Sequence, residues 1–310
     1  MTAAAYEAQA RLLVRILPAI GSEGCFALKG GTAINLFFQN MPRLSVDVDL
    51  VYLPTHDRET ALEEISAALS RVGEQIGRQL RQAVVQPLFD RNSTRVIKLI
   101  VRADGATVKV EPNLVIRGVV FPSRARVLVP VAEEFFGQSA EVEVVSFADL
   151  YGGKLCAALD RQHPRDLFDV MLLLDGEGLT PEIMDAFVVY LASHNRPMHE
   201  LLSPNLKSID QEFDREFAGM PTRPITSGQL SNARAEMIHA IHHSLGDGHK
   251  RFLLSIKRGA AEWDAFGLEG LDRLPAIQWK LRNIMVMSAD RRRDALRCLE
   301  TVLAEGPSTV

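Results

Sequence analysis

The chain has 310 residues, 47% hydrophobic and 24% charged, the balance of a folded protein of two domains or one large one. Its 35 Lys and Arg against 39 Asp and Glu leave a net charge of −4, which argues against nucleic-acid binding by bulk charge but not against a local basic face. No apolar run approaches the roughly 20 residues that cross a bilayer, so no membrane span is expected. The N-terminal residues lack the basic stretch and apolar core of a secretory leader. Cys25, Cys156 and Cys298 are scattered among apolar neighbours and read as buried thiols in a reducing cytoplasm.

In chain order, Ala3 to Ile20 is amphipathic and predicts a first helix. Short β-rich runs follow at Cys25 to Leu28, Val46 to Leu53, Val96 to Val101, Val108 to Val110 with Leu114 to Ile116, and Val127 to Val129. Between the first two runs, Ala33 to Asn40 is helix-like. Asp57 to Gly73 places Leu62, Ile65, Leu69 and Val72 at helical spacing. Asp104-Gly105 between two runs predicts a hairpin turn. After Val145 the strand signals stop. Phe147 to Leu159, Arg165 to Leu174, Pro181 to Ser193, Gln229 to Leu245 and Ala289 to Ala304 read as helices, with Leu202 to Gly228 an irregular connector rich in proline. The expectation is an α+β domain over residues 1–177 and a mostly helical domain over 178–310.

Four groups carry chemistry. Lys29-Gly30-Gly31-Thr32 sits at a strand-to-helix turn, where two glycines let the backbone approach a ligand and the helix start offers N–H groups to an anion. The plainer alternative is a tight turn with Thr32 as a cap. Arg43-Leu-Ser45-Val-Asp47-Val-Asp49 places two carboxylates two apart on a strand, so they share one face and suit a divalent cation. Lys109-Val-Glu111, on a strand expected next to the pair, offers a third carboxylate. Finally, Lys154 lies in a small, apolar helix, where a lone ammonium is costly without an anion. It is followed by Arg165-Asp166-Leu-Phe-Asp169. Pro164 and Asp166 suit a helix start, and Asp169 shares the Asp166 face. Together these are parts that metal-assisted nucleotidyl transfer requires.

The Lys29-Gly-Gly-Thr32 turn followed by Arg43-Leu-Ser-Val-Asp47-Val-Asp49-Leu resembles the signature of the AbiEii/AbiGii-type nucleotidyltransferase toxins, within the DNA polymerase β-like superfamily. Lys154 with Arg165-Asp166-Leu-Phe-Asp169 resembles that family's downstream motifs, and Leu274 to Asn283 a C-terminal helix of the same family. The resemblance implies a nucleotidyltransferase-like mixed sheet flanked by helices, followed by a mostly helical domain. It also implies a toxin of a type IV toxin–antitoxin or phage-defence system, encoded beside an antitoxin partner and working in the cytoplasm. The expected reaction moves an NMP from an NTP to an acceptor, the tRNA 3′ end first among the choices and a protein second, to block translation and growth. In the expected site Asp47 and Asp49 hold Mg²⁺ or Mn²⁺, with Glu111 as a third ligand or base. Gly30, Gly31 and Thr32 cradle the phosphates, with Lys29, Arg43 and Ser45 beside them. Lys154 offsets charge as pyrophosphate departs, oriented by Asp169 in preference to Asp166. The turn is Gly-Gly-Thr where the superfamily has Gly-Ser, so Thr32 or Ser45 is expected to supply the hydroxyl.

The basic face expected for an RNA acceptor is Arg282, Arg291, Arg292, Arg293 and Arg297, which alternatively make a solvated helix face with Asp290 and Asp294. A different class of function, a non-catalytic binding module on a degenerate nucleotidyltransferase fold, leaves the Asp47/Asp49 pair unexplained. A two-metal phosphodiesterase leaves the glycine turn and Lys154 unexplained.

Overall fold

The computed structural model describes residues 3–91 and 93–306. They form two compact units: Met1–Ser146 with Arg215–Pro224, and Phe147–Asp214 with Ile225–Val310.

The first unit is built on a seven-stranded mixed sheet: β1 (Phe26–Lys29), β2 (Asp47–Tyr52), β3 (Val84–Phe89), β4 (Val96–Ala103), β5 (Ala106–Asn113), β6 (Arg124–Val127) and β7 (Glu141–Val144). Its order is β3-β4-β5-β2-β1-β7-β6. The β1/β7 and β2/β5 pairs are parallel, and the other neighbours antiparallel. Helices α1 (Ala3–Gly21) and α3 (Arg58–Gln79) pack on the sheet and on each other. In α1 the exposed Arg11, Arg15 and Pro18 form one narrow stripe while Leu13, Ile16 and Leu17 are fully buried. Helix α3 buries Leu62, Ile65, Leu69, Val72 and Ile76 at helical spacing, and the Asp57 carboxylate caps it by accepting from the N–H groups of Glu59 and Thr60.

Three local departures from the sequence expectation have plain causes. The expected helix over Ala33–Asn40 is a short α2 (Gly30–Ala33) running into a π-turn, Ile34–Phe38. Leu114 to Ile116 is not strand, because the Asn113 side chain accepts from the N–H groups of Val115 and Ile116 and turns the chain away from the ladder. Strands β3 and β7, absent from the expected set, are masked in sequence by Pro87 and by the charges of Glu141 and Glu143. The Asp104-Gly105 hairpin is present, with both residues left-handed at φ +50° and +76°. Helix α4 (Pro130–Phe136) precedes β7.

The second unit is helical: α5 (Phe147–Arg161), α6 (Pro164–Asp175), α7 (Pro181–Ser193), α8 (Met198–Leu202), α9 (Asp210–Glu216, which straddles the unit boundary), α10 (Ser227–Ser244), α11 (Asp247–Arg258), α12 (Pro275–Met285) and α13 (Ala289–Glu305). No strand follows β7 among the described residues. Helix α5 packs closely on α7 at Gly152, where any Cβ would strike the Ala186–Phe187 backbone. The expected connector, Leu202 to Gly228, is irregular apart from α9 and the ends of α8 and α10. The cysteines are not all buried: Cys156 is, Cys25 is half-buried with its thiol pushed up to about 11 by burial, and Cys298 is exposed. No helix among the described residues is long and apolar enough to cross a membrane.

Candidate active site

The residues singled out from the sequence fall into two sets, one in each unit.

In the first unit, strand β1 ends at Lys29 in extended backbone, and Gly30 then turns left-handed at φ +71° to start α2. A side chain at Gly30 would collide with the Asp49 carboxylate, because Oδ2 would lie 2.5 Å from a Cβ built there. The glycine is therefore required twice, by its backbone conformation and by the carboxylate lying over it. Gly31 is covered in turn by the Arg43 guanidinium, with Ser45 Oγ beside it.

Thr32 and Ser45 are buried. The Thr32 hydroxyl donates to the Asp47 carbonyl at 2.6 Å and lies 2.8 Å from Ser45 Oγ. These hydroxyls tie the glycine turn to the start of β2. Arg43 is 2% exposed and donates to the Leu44 carbonyl at 3.0 Å. The segment leading to β2 is also strapped by residues 215–224: Leu44 N–H donates to the Met220 carbonyl at 3.0 Å, and Thr222 N–H to the Pro42 carbonyl at 2.9 Å.

On β2, Asp47 and Asp49 point to one face while Val48 and Leu50 are fully buried on the other. The register sets Lys29 of β1 and Glu111 of β5 on either side of Asp49, and Lys109 next to Asp47. Glu111 therefore arrives beside the pair as expected, but its carboxylate is engaged by Lys98 of β4 at 2.7 Å. Among the described residues no three His, Cys, Asp or Glu side chains gather into a metal cage. Two same-face carboxylates beside a backbone turn nonetheless fit Mg²⁺ or Mn²⁺. Mg²⁺ in particular is held by one or two carboxylates, with substrate phosphates and water completing its shell.

In the second unit, the anion that a buried Lys154 demands comes from α6. Its Nζ lies 2.9 Å from Asp166 Oδ1 and 3.0 Å from Asp169 Oδ2, and all three side chains are at most 6% exposed. Burial alone would raise the Asp166 carboxyl, but the charges of Lys154 and of Arg161, at 2.7 Å, outweigh it and hold the group at about 2. The two aspartates are thus joint partners of Lys154. The helix break between Arg161 and Pro164 is set by Gln162, left-handed at φ +53° and 3% exposed. Its side chain donates to the Asn205 carbonyl at 2.8 Å and accepts from Lys207 N–H at 3.0 Å and Arg234 at 2.8 Å. Lys98, Arg161 and Gln162 were not singled out in the sequence. Lys98 becomes visible only through strand register, and Gln162 only through its backbone.

Of the expected basic face, Arg282 lies on α12 and Arg291, Arg292, Arg293 and Arg297 on α13, where Arg293 is paired with Asp290 and Arg297 with Asp294 at 3.6 Å.

A mixed sheet carrying paired carboxylates after a glycine turn, followed by a helical unit, is a nucleotidyltransferase fold. The family model described as the nucleotidyl transferase AbiEii toxin, of type IV toxin–antitoxin systems, matches residues 11–283, and the chain belongs to that family. It is accordingly a nucleotidyltransferase of the toxin class. Among solved structures it is similar to MenT4, a nucleotidyltransferase toxin from Mycobacterium tuberculosis H37Rv. That likeness has a TM-score of 0.58 at 18% identity and covers 97% of this chain and 93% of that one. No curated protein matches the chain.

Proposed function

We propose that this nucleotidyltransferase moves an NMP from an NTP to the 3′ end of tRNA in a divalent-metal-dependent reaction, and that it works in the cytoplasm as the toxin partner of a cognate antitoxin. The observation that carries the reading is the Asp49 carboxylate lying over Gly30, with Asp47 on the same face of β2. That arrangement brings metal-binding oxygens and the Arg43 guanidinium to one glycine turn at a helix start.

Asp47 and Asp49 hold the metal, and Glu111 serves as a further oxygen donor when Lys98 releases it. When bound, Mg²⁺ or Mn²⁺ neutralises the triphosphate and lowers the pKa of the attacking hydroxyl. The backbone N–H groups of Gly30, Gly31 and Thr32 bind phosphate oxygens, and Lys29 and Arg43 add positive charge beside them. Thr32 and Ser45 act by holding the turn against β2. The acceptor hydroxyl gives up its proton, to Glu111 or to solvent, its oxygen bonds to the α-phosphorus, and the α–β phosphoanhydride bond breaks to release pyrophosphate. Lys154 with Asp166 and Asp169, which match the family's downstream motifs, is proposed as a further functional set within the second unit.

The test is incubation with each labelled NTP and total RNA or lysate, with and without chelator, followed by identification of the labelled species. Label on tRNA 3′ ends that disappears with chelator and in Asp49→Asn supports the proposal. Label on protein moves the acceptor to the second choice, and no transfer under any condition points to a binding module.

A further inference from the structure

Helix α10 keeps its apolar side in the core, with Leu230, Ala233, Met237 and Ile241 buried at helical spacing. His239 and His243 lie on the opposite side, exposed and one turn apart. Their rings stand side by side, 7° from parallel, with centroids 6.4 Å apart. The two neighbouring histidines are committed elsewhere. His242 Nε2 meets the Leu202 carbonyl at 2.7 Å, and His249 bridges Asp185, at 2.7 Å, and the Gly246 N–H. The rings of His239 and His243 make no hydrogen bond or ion pair among the described residues.

Two histidines four apart on one helix face are spaced to hold a divalent transition ion between them. Each must bring one ring nitrogen to about 2.0–2.1 Å from the ion. Neither ring is tied down, so rotation about the side-chain bonds closes the gap while the helix stays still. The position adds to the fit: His243 is one residue from the last residue of α10, Ser244, where the macrodipole favours positive charge. Glu236, exposed one turn before His239 on the same stripe, adds a negative charge. Among the described residues no three His, Cys, Asp or Glu side chains gather around an ion, so water fills the remaining positions. Imidazole suits Zn²⁺, Ni²⁺ and Cu²⁺, whereas the Asp47 and Asp49 carboxylates suit Mg²⁺ and Mn²⁺.

We propose that His239 and His243 form a two-histidine site for a divalent transition ion of the Zn²⁺, Ni²⁺ and Cu²⁺ class on the outer face of α10. The site lies in the helical unit and does not rest on the carboxylate pair or on the acceptor reading above.

The test is calorimetric titration of the full chain with Zn²⁺ in excess Mg²⁺, which occupies carboxylate sites. It is done in a Cys298→Ser background, because that exposed thiol is a competing ligand. Saturable binding of one Zn²⁺ is expected. Affinity should fall at least tenfold in His239→Asn and in His243→Asn, with an unchanged melting temperature because both positions are exposed. With Cu²⁺ as a second probe, electron paramagnetic resonance should show two nitrogen ligands, and one fewer in each single variant. Asp49→Asn is expected to bind Zn²⁺ as before, which separates this proposal from the fate of the transfer reaction. Absence of saturable Zn²⁺ binding, an affinity unchanged in either histidine variant, or a Cu²⁺ spectrum that neither variant alters overturns it.

Discussion

Replacing Lys154 with methionine tests the buried triad directly. The substitution keeps most of the side-chain volume and removes the ammonium that lies 2.9 Å from Asp166 and 3.0 Å from Asp169. Asp166 retains Arg161 at 2.7 Å, but Asp169, at 0% exposure, loses its ammonium in a setting where water cannot replace it. Removing one partner of a buried ion pair costs about 3–5 kcal/mol, a large share of the roughly 5–15 kcal/mol that holds a domain together. With a urea dependence of about 2 kcal/mol per molar, the unfolding midpoint should fall by about 2 M at pH 7.

The pH dependence gives the sign. Without Lys154 the buried carboxyls rise above their ordinary range, so the folded variant gains protons and recovers stability as pH falls from 7 towards 5. The wild type does the reverse: with Asp166 held at about 2, its contribution is complete above the ordinary carboxylate value near 4 and is lost between there and 2. The variant deficit should therefore shrink on acidification, and Lys154→Met/Asp169→Asn should recover part of it at pH 7. A Lys154→Met midpoint equal to the wild type at pH 7 would refute the reasoning. A consequence is that loss of activity in Lys154 variants must be read beside their stability.

Gly30→Ala should cost about 1–2 kcal/mol for the left-handed backbone and, by displacing the Asp49 carboxylate, lower transfer about 100-fold; Gly24→Ala, which meets nothing within 4 Å, should do neither. Asp49→Asn should abolish metal-dependent transfer at an unchanged melting temperature, and near-wild-type transfer would remove the pair from the mechanism. Reversing Arg291, Arg292 and Arg293 to Glu should flatten the salt dependence of RNA binding by about one unit of slope per lost phosphate contact, with NTP affinity kept; an unchanged slope would leave α13 as a solvated face. Expression of the wild type without its antitoxin should slow growth and expression of Asp49→Asn at matched level should not, as read from growth curves.

Much of the site's first unit was legible because strand alternation is a local property. Once Val46, Val48 and Leu50 face the core, Asp47 and Asp49 must share the other side, whatever the rest of the chain does. The Asp104-Gly105 hairpin was readable for the same reason, since its left-handed backbone selects those residue types at the turn itself. The family motifs extend this reading along most of the chain, in keeping with the match over residues 11–283.

What local pattern could not reveal was who meets whom. That Glu111 stands beside Asp49 and yet is engaged by Lys98 depends on the register of three strands, which is set by burial across the whole sheet. That Thr32 and Ser45 bind one another and Asp47 follows from the path of the chain between α2 and β2. Strands β3 and β7 were hidden because Pro87, Glu141 and Glu143 are poor strand formers, and pairing with β4 and β6 overrides that preference. The sequence by itself determined the strongly periodic helices and strands, the same-face aspartates and the need of Lys154 for an anion. Only the tertiary structure decided that Asp166 and Asp169 both supply it, because a buried charge selects its partners by three-dimensional proximity and not by spacing along the chain.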